Sequence, residues 1–291
     1  MNDDLMMDLA DCAAPESIIA CILRHHPHWT SPVPIEELAR SINIIDILEM
    51  ETEEFEGGLT TDPDKQKGVI LYKAGTKGGR RRFTIAHEIG HFLIPWHKGD
   101  QRCTKKDMSE RRIETLVQKQ ETEANRFAAG ILMPRPWFVS DMRKLGDADV
   151  EHVKTLARQY GTSVEATVAR YVELTDDCCA FVFSKDGIIR YTKATKDFPS
   201  LSVRPKHHLP ERSLSGRSSD RTQSGPSEWT EIQGSVWLNG EGRSHCPKLL
   251  EQTLLQREGY QLTLLFIAPD EIEDAEEIEA LEESWTPRFR R

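Results

Sequence analysis

The chain has 291 residues and a mass of 33.2 kDa, which allows two domains because a domain typically spans about 100 to 200 residues. The mean hydropathy is −0.54 and no apolar run approaches the ~18 to 20 residues that span a bilayer, which excludes a membrane-spanning protein. The net charge of −10 argues against a general attraction to nucleic acid, and an acidic start without a basic or apolar segment predicts a cytoplasmic protein.

Residues 1–140 predict a mixed α+β unit. Strand-like runs occur at 44–50 and 69–73, and Pro134 and Pro136 end the last helical pattern because proline removes a backbone donor. We expect helices over 17–23, over 34–41, from about 81 to 95, and from about 108 to 133.

Residues 141–176 predict a separate helical region. Two short helices with a turn at 160–163 have helix-turn-helix spacing. Residues 141–173 contain five basic and six acidic side chains, a net charge of −1, whereas a DNA-binding helix pair normally has a basic face. DNA binding is therefore possible from the spacing but is not supported by the charge, and a packed helical hairpin is favoured.

Residues 177–291 predict a small α/β domain, which we expect to be sensory or to bind a partner. Lys185-Asp186-Gly187 indicates a hairpin turn, and a polar stretch over 205–227 predicts a long loop. We expect strands over 178–183, 187–192, 229–238 and 260–267, a helix over 249–256, and an acidic tail over 270–283 with nine acidic and no basic residues.

The chemistry is concentrated in the segment His87-Glu88-Ile89-Gly90-His91. Residues four apart lie on one helix face, so His87 and His91 can bind one metal ion while Glu88 points beside it. A zinc ion there would lower the pKa of a water, and Glu88 would accept the water's proton as it attacks a carbonyl. Two histidines alone do not complete such a site, because a catalytic zinc normally has three protein ligands.

The next helical pattern offers Glu121 and Glu123 as the third ligand. The two carboxylates point about 200° apart at 100° per residue, and Glu121 lies nearer the apolar stripe. We therefore predict Glu121 as the ligand, with Asn125 one turn later holding a ligand histidine by its second ring nitrogen. The apolar stripe itself is expected to contain Ile113, Leu116, Val117, Ala124, Ala128 and Ile131.

The segments RFTIAHEIGHFLI and ExxANxFAxxILMP, together covering 82–134, resemble the signature of the ImmA/IrrE family of zinc metallo-endopeptidases. The resemblance implies a zincin-like core, with zinc bound by His87, His91 and Glu121 and Glu88 as general acid and base. It also implies a substrate class, cytoplasmic helix-turn-helix repressors whose cleavage releases genes of mobile elements or stress responses. The order of regions resembles the IrrE branch, which implies a GAF-like C-terminal domain.

Two further site predictions depend on this fold. In zincin-like folds an edge strand before the metal-binding helix receives the substrate peptide, and Val69, Ile70, Leu71 and Tyr72 lie in the strand at that position. His97 is a candidate for stabilising an oxyanion. The six cysteines form no CxxC pair and are expected to be free, mostly buried thiols.

Alternatives remain for the function and for the metal. The chain is interpreted as a zinc-dependent endopeptidase that cleaves a helix-turn-helix repressor. The alternative is a non-proteolytic regulator that contains zinc and binds DNA or a repressor directly. Manganese or iron also suits a site with two histidines and one carboxylate.

Overall fold

The computed structural model describes residues 3–97, 100–110, 113–217, 225–239, 246–269 and 271. The chain divides into two compact units, Met1–Asp141 with Leu156–Thr167, and Met142–Thr155 with Val168–Arg291. Both contain helices and a sheet, so the predicted α+β class is confirmed. Among the described residues, no helix has the length and apolar character needed to cross a membrane.

The first unit combines a four-stranded sheet with helices. Its sheet has the order β1-β3-β2-β4, in which β1 and β3 are parallel and the other neighbours are antiparallel. The strands are β1 (Ile44–Met50), β2 (Gly57–Thr61), β3 (Gly68–Lys73) and β4 (Gln101–Cys103). The helices are α1 (Asp3–Ala10), α2 (Pro15–His25), α3 (Ile35–Ser41), α4 (Gly78–Leu93) and α5 (Leu116–Leu132).

The strand order corrects the prediction for the substrate-binding strand. Val69, Ile70, Leu71 and Tyr72 lie in β3, which pairs with β1 on one side and β2 on the other. The expectation of an edge strand is wrong because β2, which comes earlier in the chain, folds back on the outer side of β3. The edges of this sheet are β1 and β4.

Helices α4 and α5 pack closely because small residues face each other between them. A Cβ at Gly90 would lie 3.1 Å from Phe127 Cδ1 and 3.2 Å from Ala124 Cα, so the backbones meet where no larger side chain fits. Ala128 and Ile131 are fully buried on the same helix, as predicted for the apolar stripe.

The start of α5 differs from the prediction. The helix begins at Leu116 rather than near 108, because Thr115 and Gln118 form a reciprocal capping box there. Ile113, Leu116 and Val117 are 70%, 64% and 61% exposed, so the predicted apolar stripe is wrong for these three residues. The amphipathic pattern is continuous in sequence, but among the described residues before the cap it forms only a 3₁₀ turn, Asp107–Ser109.

Lys65, in the turn between β2 and β3, binds the C-terminal end of α4. Its ammonium group donates to the backbone oxygens of His91, Ile94 and His97 at 2.7, 2.9 and 3.4 Å. The last carbonyls of a helix have no partner within the helix, and a cation also interacts favourably with that end of the helix dipole. Lys65 therefore fixes the end of the helix that carries the two predicted histidine ligands.

We expect Lys65→Met to lower the free energy of unfolding of the metal-free protein by about 1.5 to 3 kcal/mol, the usual net contribution of hydrogen bonds to a charged group. Methionine keeps most of the apolar stem and removes the three donors. Denaturant titration measures the change, and Lys67→Met, at an exposed position two residues later, is the matched control. Equal stability of the two variants would contradict the capping role.

Three helices follow, α6 (Arg135–Leu145), α7 (His152–Tyr160) and α8 (Val164–Leu174). The two helices predicted around 160–163 are thus present, and the turn between them contains Gly161 with φ of +62°. The boundary between the two units passes through all three helices. Their interpretation as a helix-turn-helix-like pair, and the division at 140 and 176, stay predictions.

The second unit is built on an antiparallel five-stranded sheet with the order β6-β5-β9-β8-β7. The predicted hairpin is confirmed, with Asp186 and Gly187 at φ of +50° and +74° in its turn. The elements are β5 (Cys179–Lys185), β6 (Ile188–Ala194), α9 (Leu214–Arg217), β7 (Thr230–Ile232), β8 (Leu249–Leu255) and β9 (Tyr260–Phe266). Its GAF-like character stays a prediction.

Two predictions for the second unit are wrong. The segment expected to be a helix over 249–256 is strand β8. Its leucine and glutamate residues favour a helix locally, but pairing with β7 and β9 determines the structure. The expected strand over 229–238 forms only β7 and a 3₁₀ turn, Gly234–Val236. The predicted acidic tail over 270–283 lies outside the described residues, apart from Glu271.

Candidate metal centre

Helix α4 places its two histidines and its glutamate in the buried interior. His87, Glu88 and His91 are all fully buried. The Nε2 atoms of His87 and His91 are 3.1 Å apart, so the two rings, one helical turn apart, point at the same place. The helical face predicted from the spacing is therefore formed.

Helix α5 brings Glu121 to the same place. Its Oε2 lies 3.2 Å from His87 Nε2, and its Oε1 lies 3.5 Å from His91 Nε2. Burial alone would raise the pKa of Glu121, but the two imidazoles lower it to about 2, so the carboxylate is ionised. Glu121 is 4% exposed and is the inward carboxylate, whereas Glu123 lies beside Trp96, with its Oε2 2.7 Å from Trp96 Nε1.

The nitrogen and oxygen atoms at this place would interact more favourably with a cation than with one another. Two facing Nε2 atoms can share only one proton. Apart from its 3.2 Å contact with His87 Nε2, the buried Glu121 Oε2 has no hydrogen-bond partner of good geometry among the described residues. Leaving such a group unsatisfied is costly. A metal ion bound by His87, His91 and Glu121 would accept a lone pair from each residue, and these nitrogen and oxygen ligands fit a catalytic zinc site.

Glu88 lies beside the three donors and is held there by a close backbone approach. Burial raises its pKa to about 7, and its Oε1 has no hydrogen-bond partner among the described residues. A Cβ at Gly57 would lie 2.6 Å from Glu88 Oε1 and 2.6 Å from Thr84 Cγ2, so strand β2 leaves room for nothing larger than glycine. Glu88 can therefore carry or release a proton near neutral pH.

A chain of hydrogen bonds runs from His91 to the side of α5. His91 Nδ1 is 3.0 Å from His97 Nδ1, and His97 Nε2 is 3.0 Å from Glu123 Oε2. Burial lowers the pKa of both imidazoles, that of His91 to about 4, so both rings are neutral. We assign the proton of His97 to Nε2, facing the carboxylate, which makes His91 the donor from Nδ1 and leaves the lone pair of His91 Nε2 free for a metal.

The sequence analysis did not predict this series of hydrogen bonds. The oxyanion role predicted for His97 stays a prediction, although both ring nitrogens of His97 face protein partners. Glu123 was considered only as a competing ligand. No sequence signal pairs the two residues, since His97 follows α4 and Glu123 lies 26 residues later in α5.

Asn125 lies near His87, as its position one turn after Glu121 predicts. Its Nδ2 donates to the backbone oxygens of Asp107 and Glu110, both at 3.1 Å. His87 Nδ1 and Asn125 Oδ1 are both buried, and neither has a hydrogen-bond partner in the part of the chain that the structure describes. Holding a ligand histidine therefore stays a prediction for Asn125, and the amide anchors the loop before α5.

Cys103 also lies at the site, and its sequence context did not single it out. The end of strand β4 places its Sγ 3.6 Å from His91 Nε2 and 3.9 Å from Glu121 Oε1. Burial raises the pKa of this thiol well above its usual value, so without a metal it is protonated. A cysteine 12 residues after the second histidine, outside any CxxC pair, gives no recognisable signal.

Comparisons with known proteins define the class of this domain. Residues 43–171 match the peptidase M78 family, described as the IrrE N-terminal-like domain. An 83-residue stretch is 36% identical to the radiation response metalloprotease IrrE of Deinococcus radiodurans, and covers 28% of this chain and 24% of that protein. The match thus spans about a quarter of the length of this curated relative.

A solved structure, a transcriptional regulator of Mycobacterium tuberculosis, is similar over 87% of this chain and 75% of its own, with a TM-score of 0.54 and 13% identity. At that identity the likeness concerns the fold alone. The family match and the IrrE match together confirm the recognition from the motifs: residues 43–171 are similar to the IrrE N-terminal-like domain of the peptidase M78 family.

Replacing His97 by phenylalanine should weaken metal binding by about 10-fold to 100-fold, the usual effect of losing the partner that orients a ligand histidine. Phenylalanine keeps the ring volume and removes the acceptor of the His91 N–H. Competition with a chelator of known affinity measures the dissociation constant. His207→Phe, at an exposed position in the second unit, is the control, and equal affinity of both variants would contradict the tautomer assignment.

Proposed function

We propose that the chain is a zinc-dependent endopeptidase that cleaves a cytoplasmic helix-turn-helix repressor and thereby releases the genes that it controls. The observation that carries the enzymatic part is the buried Glu88, with an unpartnered Oε1, beside three convergent metal-binding side chains. The similarity to a radiation response metalloprotease supports a role in a stress response. The repressor as substrate follows from the resemblance of the two sequence motifs to the ImmA/IrrE signature.

The four side chains of the site have two roles in the proposed mechanism, metal binding and proton transfer. His87, His91 and Glu121 would hold the zinc ion, which supplies a water of lowered pKa and polarises the scissile carbonyl. Glu88 would take a proton from the attacking water and then deliver it to the amide nitrogen of the leaving peptide. The carboxyl group must accept and release a proton within one turnover, and in the metal-free protein burial raises its pKa to about 7.

Glu88→Gln should lower the cleavage rate by about 10²-fold to 10⁴-fold while zinc stays bound, because the amide cannot take a proton. Zinc-loaded wild type and variant are incubated with purified helix-turn-helix repressors of the same genome, and the products are identified by mass spectrometry. His87→Ala, the control for metal loss, should lose both zinc and cleavage.

Two results would contradict the proposal. Cleavage by Glu88→Gln at the wild-type rate would remove the role of the carboxylate. If the wild type and Glu88→Gln both prevent the repressor from binding DNA and no repressor chain is cut, the alternative is favoured, which is a regulator that acts by binding. A gel-shift assay run on the same samples separates these cases.

We further propose that the substrate backbone pairs with β4. This strand is an edge of the first unit's sheet, and Cys103 at its end lies within 4.0 Å of Glu88 Oε2. An extended peptide added to a sheet edge is held mainly by main-chain hydrogen bonds. A peptide in this position would pass next to the carboxylate that moves the proton.

N-methylation of the substrate amides on either side of the scissile bond should therefore raise KM, because a methylated nitrogen donates no hydrogen bond. Peptides of the cleaved sequence with single N-methyl groups are compared by their KM and kcat. The same group placed outside the pairing region is the control. An unchanged KM at every position near the cut would exclude pairing with the strand.

A further inference from the structure

The thiol of Cys103 lies among the atoms that would bind the metal. One possible ligand atom from each of His87, His91, Cys103 and Glu121 lies within 4.8 Å of all the others, and all four residues are buried. The Sγ is also 4.0 Å from Glu88 Oε2, so it lies on the side of the cluster where the proton acceptor lies. Cys103 itself is fully buried.

The separations match those of a tetrahedral centre. With metal–nitrogen and metal–sulfur bonds of about 2.05 and 2.3 Å, tetrahedral angles place two nitrogens about 3.3 Å apart and a sulfur about 3.5 Å from a nitrogen. The His87 and His91 Nε2 atoms are 3.1 Å apart, and Cys103 Sγ is 3.6 Å from His91 Nε2. Glu121 Oε1 lies 3.9 Å from the sulfur, which requires a small movement of the carboxylate.

The neighbouring carboxylates give independent support for an ion at this place. Glu88 Oε1 and Glu121 Oε2 are buried and have no hydrogen-bond partner among the residues that the structure describes. The thiol does not satisfy them, since its one proton can go to a single acceptor and its contacts with these residues are 3.9 to 4.0 Å long. A cation placed among His87, His91, Glu121 and Cys103 would interact favourably with all four of these side chains.

We propose that Cys103 is a fourth protein ligand, so that the resting metal centre is closed by two imidazoles, one carboxylate and one thiolate. Binding of the metal to the sulfur releases the thiol proton to solvent. A catalytic zinc site keeps one position open for water, and a site with four protein ligands has none. In this arrangement hydrolysis begins only after the sulfur has left the metal.

The position of the sulfur determines which coordination position of the metal is blocked. Because Sγ lies next to Glu88, it occupies the corner of the tetrahedron where a water must be for Glu88 to take its proton. Cys103 also ends edge strand β4. The latency part of the inference depends on the proposed peptidase function, whereas the ligand itself does not.

Cobalt substitution tests the ligand without any substrate. The wild-type protein with one bound Co²⁺ should have a sulfur-to-cobalt charge-transfer band in the near ultraviolet, and Cys103→Ala should lack it. Cys179→Ala removes a fully buried thiol of the second unit and should keep the band. Glu88→Gln should keep it as well, because Glu88 is not a ligand.

X-ray absorption of the wild-type zinc protein serves as a second measurement that needs no variant. A sulfur scatterer at about 2.3 Å is expected beside the nitrogen and oxygen shell. A shell of nitrogen and oxygen alone, or a cobalt band that survives in Cys103→Ala, would overturn the proposal. Metal affinity should fall in Cys103→Ala by more than the ~10-fold to 100-fold typical of an orienting partner, since a direct ligand is lost.

Activity separates this inference from the proposed function. If the centre is closed at rest, Cys103→Ala saturated with zinc should cleave the repressor faster than the wild type does. Slower or equal cleavage would overturn the latency. Sulfur ligation in the wild type with no cleavage by either protein would leave the ligand in place and contradict the peptidase function.

Discussion

A buried position surrounded by polar atoms that cannot satisfy one another is the constraint on which the first unit depends. Two imidazole nitrogens, a carboxylate and a thiol converge there, and burying such groups without partners is costly. A divalent cation bound among these atoms would remove this cost. Metal binding and stability of this unit should therefore be thermodynamically linked.

The rest of the unit keeps these groups in position. Gly90 lets α5 approach α4 closely enough for Glu121 to reach the two histidines of α4. Lys65 holds the end of α4, and the hydrogen bonds through His97 fix which nitrogen of His91 faces inward. The same predicted ligand atoms are therefore positioned by the packing of α4 on α5, by the capping of α4 and by the choice of the His91 tautomer.

What the sequence predicted depended on local spacing. His87, Glu88 and His91 lie within two helical turns, and the direction of Glu121 follows from helical periodicity, so both are accessible from a single sequence. Contacts between distant segments determine the rest, namely the central place of β3, the strand structure of β8 and the contact of His97 with Glu123. Cys103 was missed for the same reason, since β4 reaches the site only by pairing with β2.

Gly57 has a consequence for how this site can vary between related proteins. The backbone of β2 lies against Glu88 so closely that any side chain at this position would displace the carboxylate. Position 57 therefore has no room for a side chain that would change the surroundings of Glu88 and leave the carboxylate in place.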